Sequence, residues 1–237
     1  MKQTILLCSF FIFFNCEDKQ SRQKKAPPQK TKVSKVKPKI KETIVDSTKL
    51  TLEERFLPLN DRNAMDFFLE YEKENKENKV RIHTSFGNID LLLFDNIKFH
   101  RANFIFLTKN KVFDGTQFHR VVKDFVIQGG NSDDRKVTKK RKKIGRYLLP
   151  PDAKRGYKHH RGVISIPSSE IENAYKLASP YEFFITQSNQ YHLDEKYTIF
   201  GRVIKGMDVV DTIANQETDT GDWPKHNIYI TKVEVIE

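Results

Sequence analysis

From about Lys79 to the C-terminus, apolar residues recur in short alternating runs separated by turn-forming residues. Val80 and Ile82 alternate with polar neighbours, residues 85–88 supply a turn, and an apolar run follows over 89–94, the pattern of a β-hairpin. Short runs at 116–120, 125–128, 163–166, 183–186 and 198–204 predict further strands. Phe99, Ala102 and Phe106 share one face at helical spacing, as do Met207, Val210 and Ile213. The chain closes on 228–236, an alternating run with one slip of phase that predicts a bulge. Many short strands with only two helices predict a mainly β fold, a closed antiparallel barrel capped by those helices.

Upstream the period changes. Thr51 and Glu54 have capping-box spacing, with Leu52, Phe56 and Leu59 at helical intervals until Pro58 interrupts them. A second helix is predicted over 62–76, with Met65, Phe68 and Leu69 on its packing face. Residues 49–78 therefore read as a helical spacer leading into a domain over 79–237.

The N-terminus carries an address rather than a fold. Lys2, an apolar run over residues 5–14 and then Cys16, Glu17 and Asp18 have the form of a signal peptide over 1–15. The run of about ten residues is too short to span a bilayer as a permanent helix. A lone cysteine just past it resembles a bacterial lipoprotein signal, which implies that Cys16 becomes the lipid-bearing first residue. Cys8 would leave with the signal, so the mature chain would hold no free thiol, as suits an oxidising compartment. Residues 16–48 then read as the anchor cysteine and a flexible basic linker, rich in Lys, Gln, Ser and Pro.

Charge sharpens this division. Lys and Arg number 42 against 31 Asp and Glu, a formal net charge of +11. Ten of the cations lie between Lys19 and Lys41 with no acid among them, and eight lie between Arg135 and Arg146. The first run reads as solvated tether and the second as solvated loop, with contact to an anionic surface as a further expectation. No aromatic residue interrupts the first run, so it offers no platform on which bases could stack. His159 and His160 are adjacent and point apart, which argues against a metal site. No phosphate loop, nucleophile elbow or zinc spacing is present.

Four blocks carry a resemblance: TSFGNIDLLLF at 84–94, FHRVVKDFVIQGG at 118–130, EFFIT at 182–186 and LDEKYTIFGRVIKGMDVVD at 193–211. In content and order they resemble the cyclophilin family of peptidyl-prolyl cis-trans isomerases. The resemblance implies an eight-stranded antiparallel barrel capped by two helices, here with an N-terminal helical extension. It implies a groove on the barrel's outer face that binds proline-containing polypeptides, with no cofactor. The chain is expected to be a monomer, which the separate N-terminal lipoprotein-like signal would hold at the bacterial cell envelope by its lipid.

The resemblance also implies residue roles. Arg120 donates to the prolyl nitrogen, and Gln128 holds the substrate backbone. Phe125, Val126, Phe184 and Leu193 line the proline pocket, with Tyr197 beside it and His119 in a structural role. Glu182 and His192 stand at substrate-contacting positions where the family commonly has Gln and Trp. Glu182 is expected to pair with Arg120 and restrain it, and Pro167 and Ser168 to alter the backbone ledge of the groove. A second reading therefore stays open, a cyclophilin-fold chaperone or peptide-binding module with weak or no catalysis.

Overall fold

The computed structural model describes residues 51–168 and 175–237. The signal, cysteine and tether readings lie outside these residues. The first described segment is capped as expected. Oε2 of Glu54 accepts from the Thr51 amide at 2.8 Å, and the Thr51 hydroxyl accepts from the Glu54 amide at 3.2 Å, opening helix α1 (Leu52–Phe56). A two-residue strand, β1 (Leu59–Asn60), leads to α2 (Ala64–Glu74).

The packing face of α2 differs from the expected one. Ala64, Phe67, Phe68 and Tyr71 are buried, whereas Leu69 is 49% exposed and Met65 only half-buried. These four sit at i, i+3, i+4 and i+7, a complete helical stripe. Phe67 and Phe68 are both 0% exposed, and the Phe67 ring meets Phe106 edge-on with centroids 4.8 Å apart. Glu72 accepts from the buried Arg101 guanidinium at 2.9 Å. The extension is therefore a wall of the core and not a spacer.

Eight strands close the barrel: β2 (Lys79–Thr84), β3 (Gly87–Leu93), β4 (Thr116–Val122), β5 (Val126–Asn131), β7 (Val163–Ile166), β8 (Phe183–Thr186), β9 (Thr198–Lys205) and β10 (Ile228–Val235). Their order around the barrel is β10-β2-β3-β9-β7-β8-β5-β4, every pairing is antiparallel, and Ile228 opposite Phe118 completes the ring. Helices α3 (Lys98–Lys109) and α5 (Met207–Ala214) pack against it. The phase slip in the last strand is a register shift between Ile230 and Lys232. Phe125, placed by periodicity in a strand, lies instead in the turn before β5.

The basic run at 135–146 is not a loop. It forms α4 (Arg135–Ile144), followed by β6 (Gly145–Arg146). The Asp134 carboxylate caps the helix by accepting from the Lys136 amide at 2.7 Å, and Val137 and Ile144, two turns apart, are buried. Lys and Arg are good helix formers, and Arg141, Lys142 and Lys143 suit the negative end of the helix dipole. β6 pairs in parallel with β1, which ties the extension to the end of α4. Gly145 makes that contact possible: its φ is 127°, and a Cβ there would lie 2.0 Å from the Leu59 carbonyl oxygen.

One buried group makes stability depend on pH. His100 is 1% exposed; its Nε2 donates to the Pro150 carbonyl at 3.1 Å, and Nδ1 has no partner. Burial pushes its pKa down from 6.5 to about 4. The unfolded chain therefore takes up this proton at a higher pH than the folded one. Stability contributed by the neutral ring is present above pH 6.5 and falls as the pH drops towards 4, by up to about 3 kcal/mol. His100→Gln, which keeps a donor for Pro150, should flatten this part of the profile. Urea unfolding across the window measures it, and identical pH slopes for the two proteins would reject the assignment.

Candidate active site

Register assembles the site. Arg120 lies opposite Gln128 across β4 and β5, and Gln128 lies opposite Phe184 across β5 and β8. Residues directly opposite in antiparallel pairs project to the same face. Their neighbours Val121, Ile127 and Ile185 alternate inward and are at most 1% exposed, so the row of three belongs to the outer face. The pairing runs from Phe118 opposite Gly129 to Arg120 opposite Gln128, leaving His119 as an extra residue in β4. This bulge keeps Phe118 in the core and turns Arg120 outward.

A cleft of about 310 Å³ opens on this face, lined by Arg120, Phe125, Gln128, Phe184, Leu193 and Tyr197, with Val126, Pro167 and Ser168 completing it. Val126, Phe184 and Leu193 form an apolar cluster separate from the main core, with Phe125 and Tyr197 against it. Tyr197 meets Phe184 edge-on at 5.6 Å, and the Arg120 guanidinium carbon lies 5.8 Å from the Phe125 ring centroid. An apolar floor with one cationic donor at its rim can take a small ring and hydrogen-bond an atom attached to it.

Phe125 is held by the loop that follows β8. Asp124, in the left-handed region at φ 58°, donates its amide to Oε1 of Gln187 at 2.6 Å, and its carbonyl accepts from Ser188 Oγ at 2.6 Å and Gln190 Nε2 at 2.8 Å. Leu193 is fixed through the next residue. Asp194 accepts from the His159 amide at 2.8 Å and lies 2.9 Å from Nδ1 of that ring. The other ring nitrogen lies 3.2 Å from Ser165 Oγ, and the ring stacks on Phe184 with an interplanar angle of 11°. Ser165, His159 and Asp194 thus line up as a nucleophilic triad would. Ser165 and His159 are both 0% exposed, however, and the cleft does not reach them. The chain of bonds fixes the pocket wall. Burial lowers the His159 pKa, against the opposing pull of Asp194.

The structure corrects two expectations. Glu182 does not pair with Arg120: it accepts from Gln128 Nε2 at 3.0 Å and lies 3.6 Å from His119 Nε2, outside the cleft lining. Burial lowers the His119 pKa, with Glu182 acting in the opposite sense. The partner of Arg120 is Asp222, with Nη2 and Oδ2 3.0 Å apart. That carboxylate comes from the loop between α5 and β10 and went unnoticed in the sequence. His192 is exposed and does not line the cleft; it stacks on the outer side of Phe125 at 5.6 Å.

Comparison with known proteins agrees with this architecture. A family model described as cyclophilin type peptidyl-prolyl cis-trans isomerase matches residues 79–235. The chain belongs to the cyclophilin-type peptidyl-prolyl cis-trans isomerases. It is 34% identical over 158 residues to peptidyl-prolyl cis-trans isomerase CYP18-1 of Arabidopsis thaliana, covering 66% of this chain and 94% of that one. It is 32% identical over 166 residues to a peptidyl-prolyl cis-trans isomerase of Acinetobacter baylyi, covering 66% of this chain and 84% of that one. Against peptidyl-prolyl cis-trans isomerase-like 2 of Rhizopus delemar it is 35% identical over 70% of its own length but spans only 30% of that protein. Among solved structures, a Cryptosporidium parvum cyclophilin crystallised in the presence of the dipeptide Ala-Pro superposes with a TM-score of 0.57. The pair are 28% identical, covering 67% of this chain and 99% of that one. The cyclophilin domain is thus an isomerase of peptidyl-prolyl bonds, and all nine residues lining its cleft fall within the matched stretch.

Proposed function

We propose that this cyclophilin domain isomerises Xaa-Pro bonds in exported polypeptides, with Arg120 donating to the prolyl nitrogen as the amide twists and Gln128 steadying the substrate backbone. The observation that supports this reading is the guanidinium poised at the rim of an apolar cleft, 5.8 Å from the Phe125 ring. Phe184, Leu193 and Val126 receive the proline ring. The N-terminal pattern extends the proposal: export by a signal over 1–15, lipid on Cys16 and residence at the bacterial cell envelope. Mass spectrometry of the mature N-terminus tests that part, since a protein beginning at Met1 with unmodified Cys16 would exclude it.

The enzymatic part is tested by exchange NMR on a short Ala-Pro peptide with wild-type protein and Glu182→Gln. Because Glu182 bonds Gln128 and leaves Arg120 to Asp222, the variant should keep the wild-type rate within about threefold, the scale of an exposed charge interaction. A tenfold rise would mean that the carboxylate does reach Arg120 in the working enzyme. Catalysis no faster than the peptide alone in both proteins would favour the peptide-binding module. One observation speaks for that module: Arg120 and Gln128, the two side chains assigned to the substrate backbone, each already contact a carboxylate.

A further inference from the structure

We propose that the exposed face of α4 is a docking surface for membranes rich in anionic lipid headgroups. Its helical geometry collects the charge. Arg135, Lys136, Lys139, Lys142 and Lys143 are all exposed, and at about 100° per residue they occupy one arc of about 120°. Buried Val137 and Ile144 define the opposite side. None of these five cations takes part in an ion pair among the described residues, and no acid lies within the helix. The nearest acids in the sequence, Asp133 and Asp134, precede the helix at its N-terminal end, so the exposed arc itself carries only positive charge.

It is also rigidly mounted. The Arg141 guanidinium turns inward, donates to the Gly130 carbonyl and lies 5.0 Å over the Tyr181 ring. Tyr181 in turn donates to the Gly145 carbonyl at 2.7 Å, and Lys140 Nζ donates to the Lys111 carbonyl at 2.5 Å. A solvated loop would have to be ordered on binding, whereas this face is presented in advance.

Charge complementarity selects the occupant. The apolar side of α4 is already spent on the barrel, so the helix cannot insert; it can meet a surface only through its cations. The exposed arc holds no aromatic residue on which a base could stack, which disfavours single-stranded nucleic acid. β1, the first strand among the described residues, is hydrogen-bonded to β6 at the end of this helix. The extension therefore joins the domain beside the basic face. The proposal depends on neither the role of Arg120 nor lipid on Cys16.

Residues 45–237 form a compact unit holding the whole barrel and core, so this fragment can be tested without the basic run at 19–41 or the apolar run at 5–14. The probe is vesicle cosedimentation with equal parts phosphatidylglycerol and phosphatidylcholine, against phosphatidylcholine alone. Binding to the anionic vesicles alone is expected, weakening as salt is raised from about 0.1 M to 1 M, where the screening length falls from about 10 Å to 3 Å. The triple change Lys136→Gln, Lys139→Gln and Lys143→Gln should weaken it by more than about tenfold while leaving Ala-Pro isomerisation unchanged. No binding to anionic vesicles, or equal binding by the triple variant, would overturn the proposal. So would tighter binding to duplex DNA at equal phosphate concentration, which would reassign the face to nucleic acid.

Discussion

Arg120→Ala is expected to lower kcat/KM for an Ala-Pro peptide by about 10²–10³ while leaving the fold intact. The magnitude follows from what a preorganised donor to a developing lone pair contributes, about 3–4 kcal/mol. Peptide resonance sets a barrier of about 18–20 kcal/mol, and the prolyl nitrogen becomes a good acceptor only when the bond twists and conjugation is lost. A donor placed there is used fully in the transition state and hardly at all in the planar ground state. The loss should therefore appear mainly in kcat.

Folding should be insensitive to the same change. The side chain is 39% exposed, and its ion pair is with Asp222, itself 40% exposed, a pair worth less than about 1 kcal/mol to stability. Circular dichroism should superpose for the two proteins while exchange NMR separates them. Arg120→Lys should not restore the rate, because a point charge on a flexible stem lacks the planar fork. Retention of more than a third of wild-type activity by Arg120→Ala would remove Arg120 from the mechanism and leave the cleft as a binding site.

The barrel was legible because its strands are short runs rich in apolar residues that end at turn residues; the runs at 163–166 and 183–186 coincide with β7 and β8. Arg120, Gln128 and Phe184 were legible only through the family's blocks, since each alone has the character of an ordinary surface or core residue. What the sequence hid was set by distant contacts. α4 has only Val137 and Ile144 to mark a buried stripe, too few in ten residues to show a period. In α2 the apolar residues outnumber the buried positions, and docking on Phe106 decides that Phe67 and Tyr71 face inward and Leu69 outward. The partner of Arg120 lies about a hundred residues along the chain in a loop with no periodic signal. Proximity by family position pointed to Glu182, but the β5 to β8 pairing sets that carboxylate beside Gln128, and Arg120 pairs with Asp222.

A chain trimmed to residues 79–237, close to the stretch that the family model matches, is expected to lose its cooperative fold although every cleft residue remains. The trimming removes Leu59, Phe67, Phe68 and Tyr71, none more than 5% exposed, and strips cover from the Phe106 and Tyr147 rings. Emptying one such Phe site costs about 3–5 kcal/mol, and a domain is typically stable by about 5–15 kcal/mol. Arg101 also loses Glu72 and the Asn75 and Glu77 carbonyls that accept from it, though water entering the gap would offset part of that loss. The apolar contribution alone is comparable to the whole stability. Residues 45–237 should melt in one sharp transition by circular dichroism, and residues 79–237 should show none. Phe67→Ala within 45–237 is the graded form of the test, with an expected loss of about 3–5 kcal/mol in urea. Melting of the trimmed chain within a few degrees of the longer one would return the extension to the status of a spacer. If the extension is core, any isomerase activity left in 79–237 should scale with its folded fraction, because the trimming touches no group in the cleft.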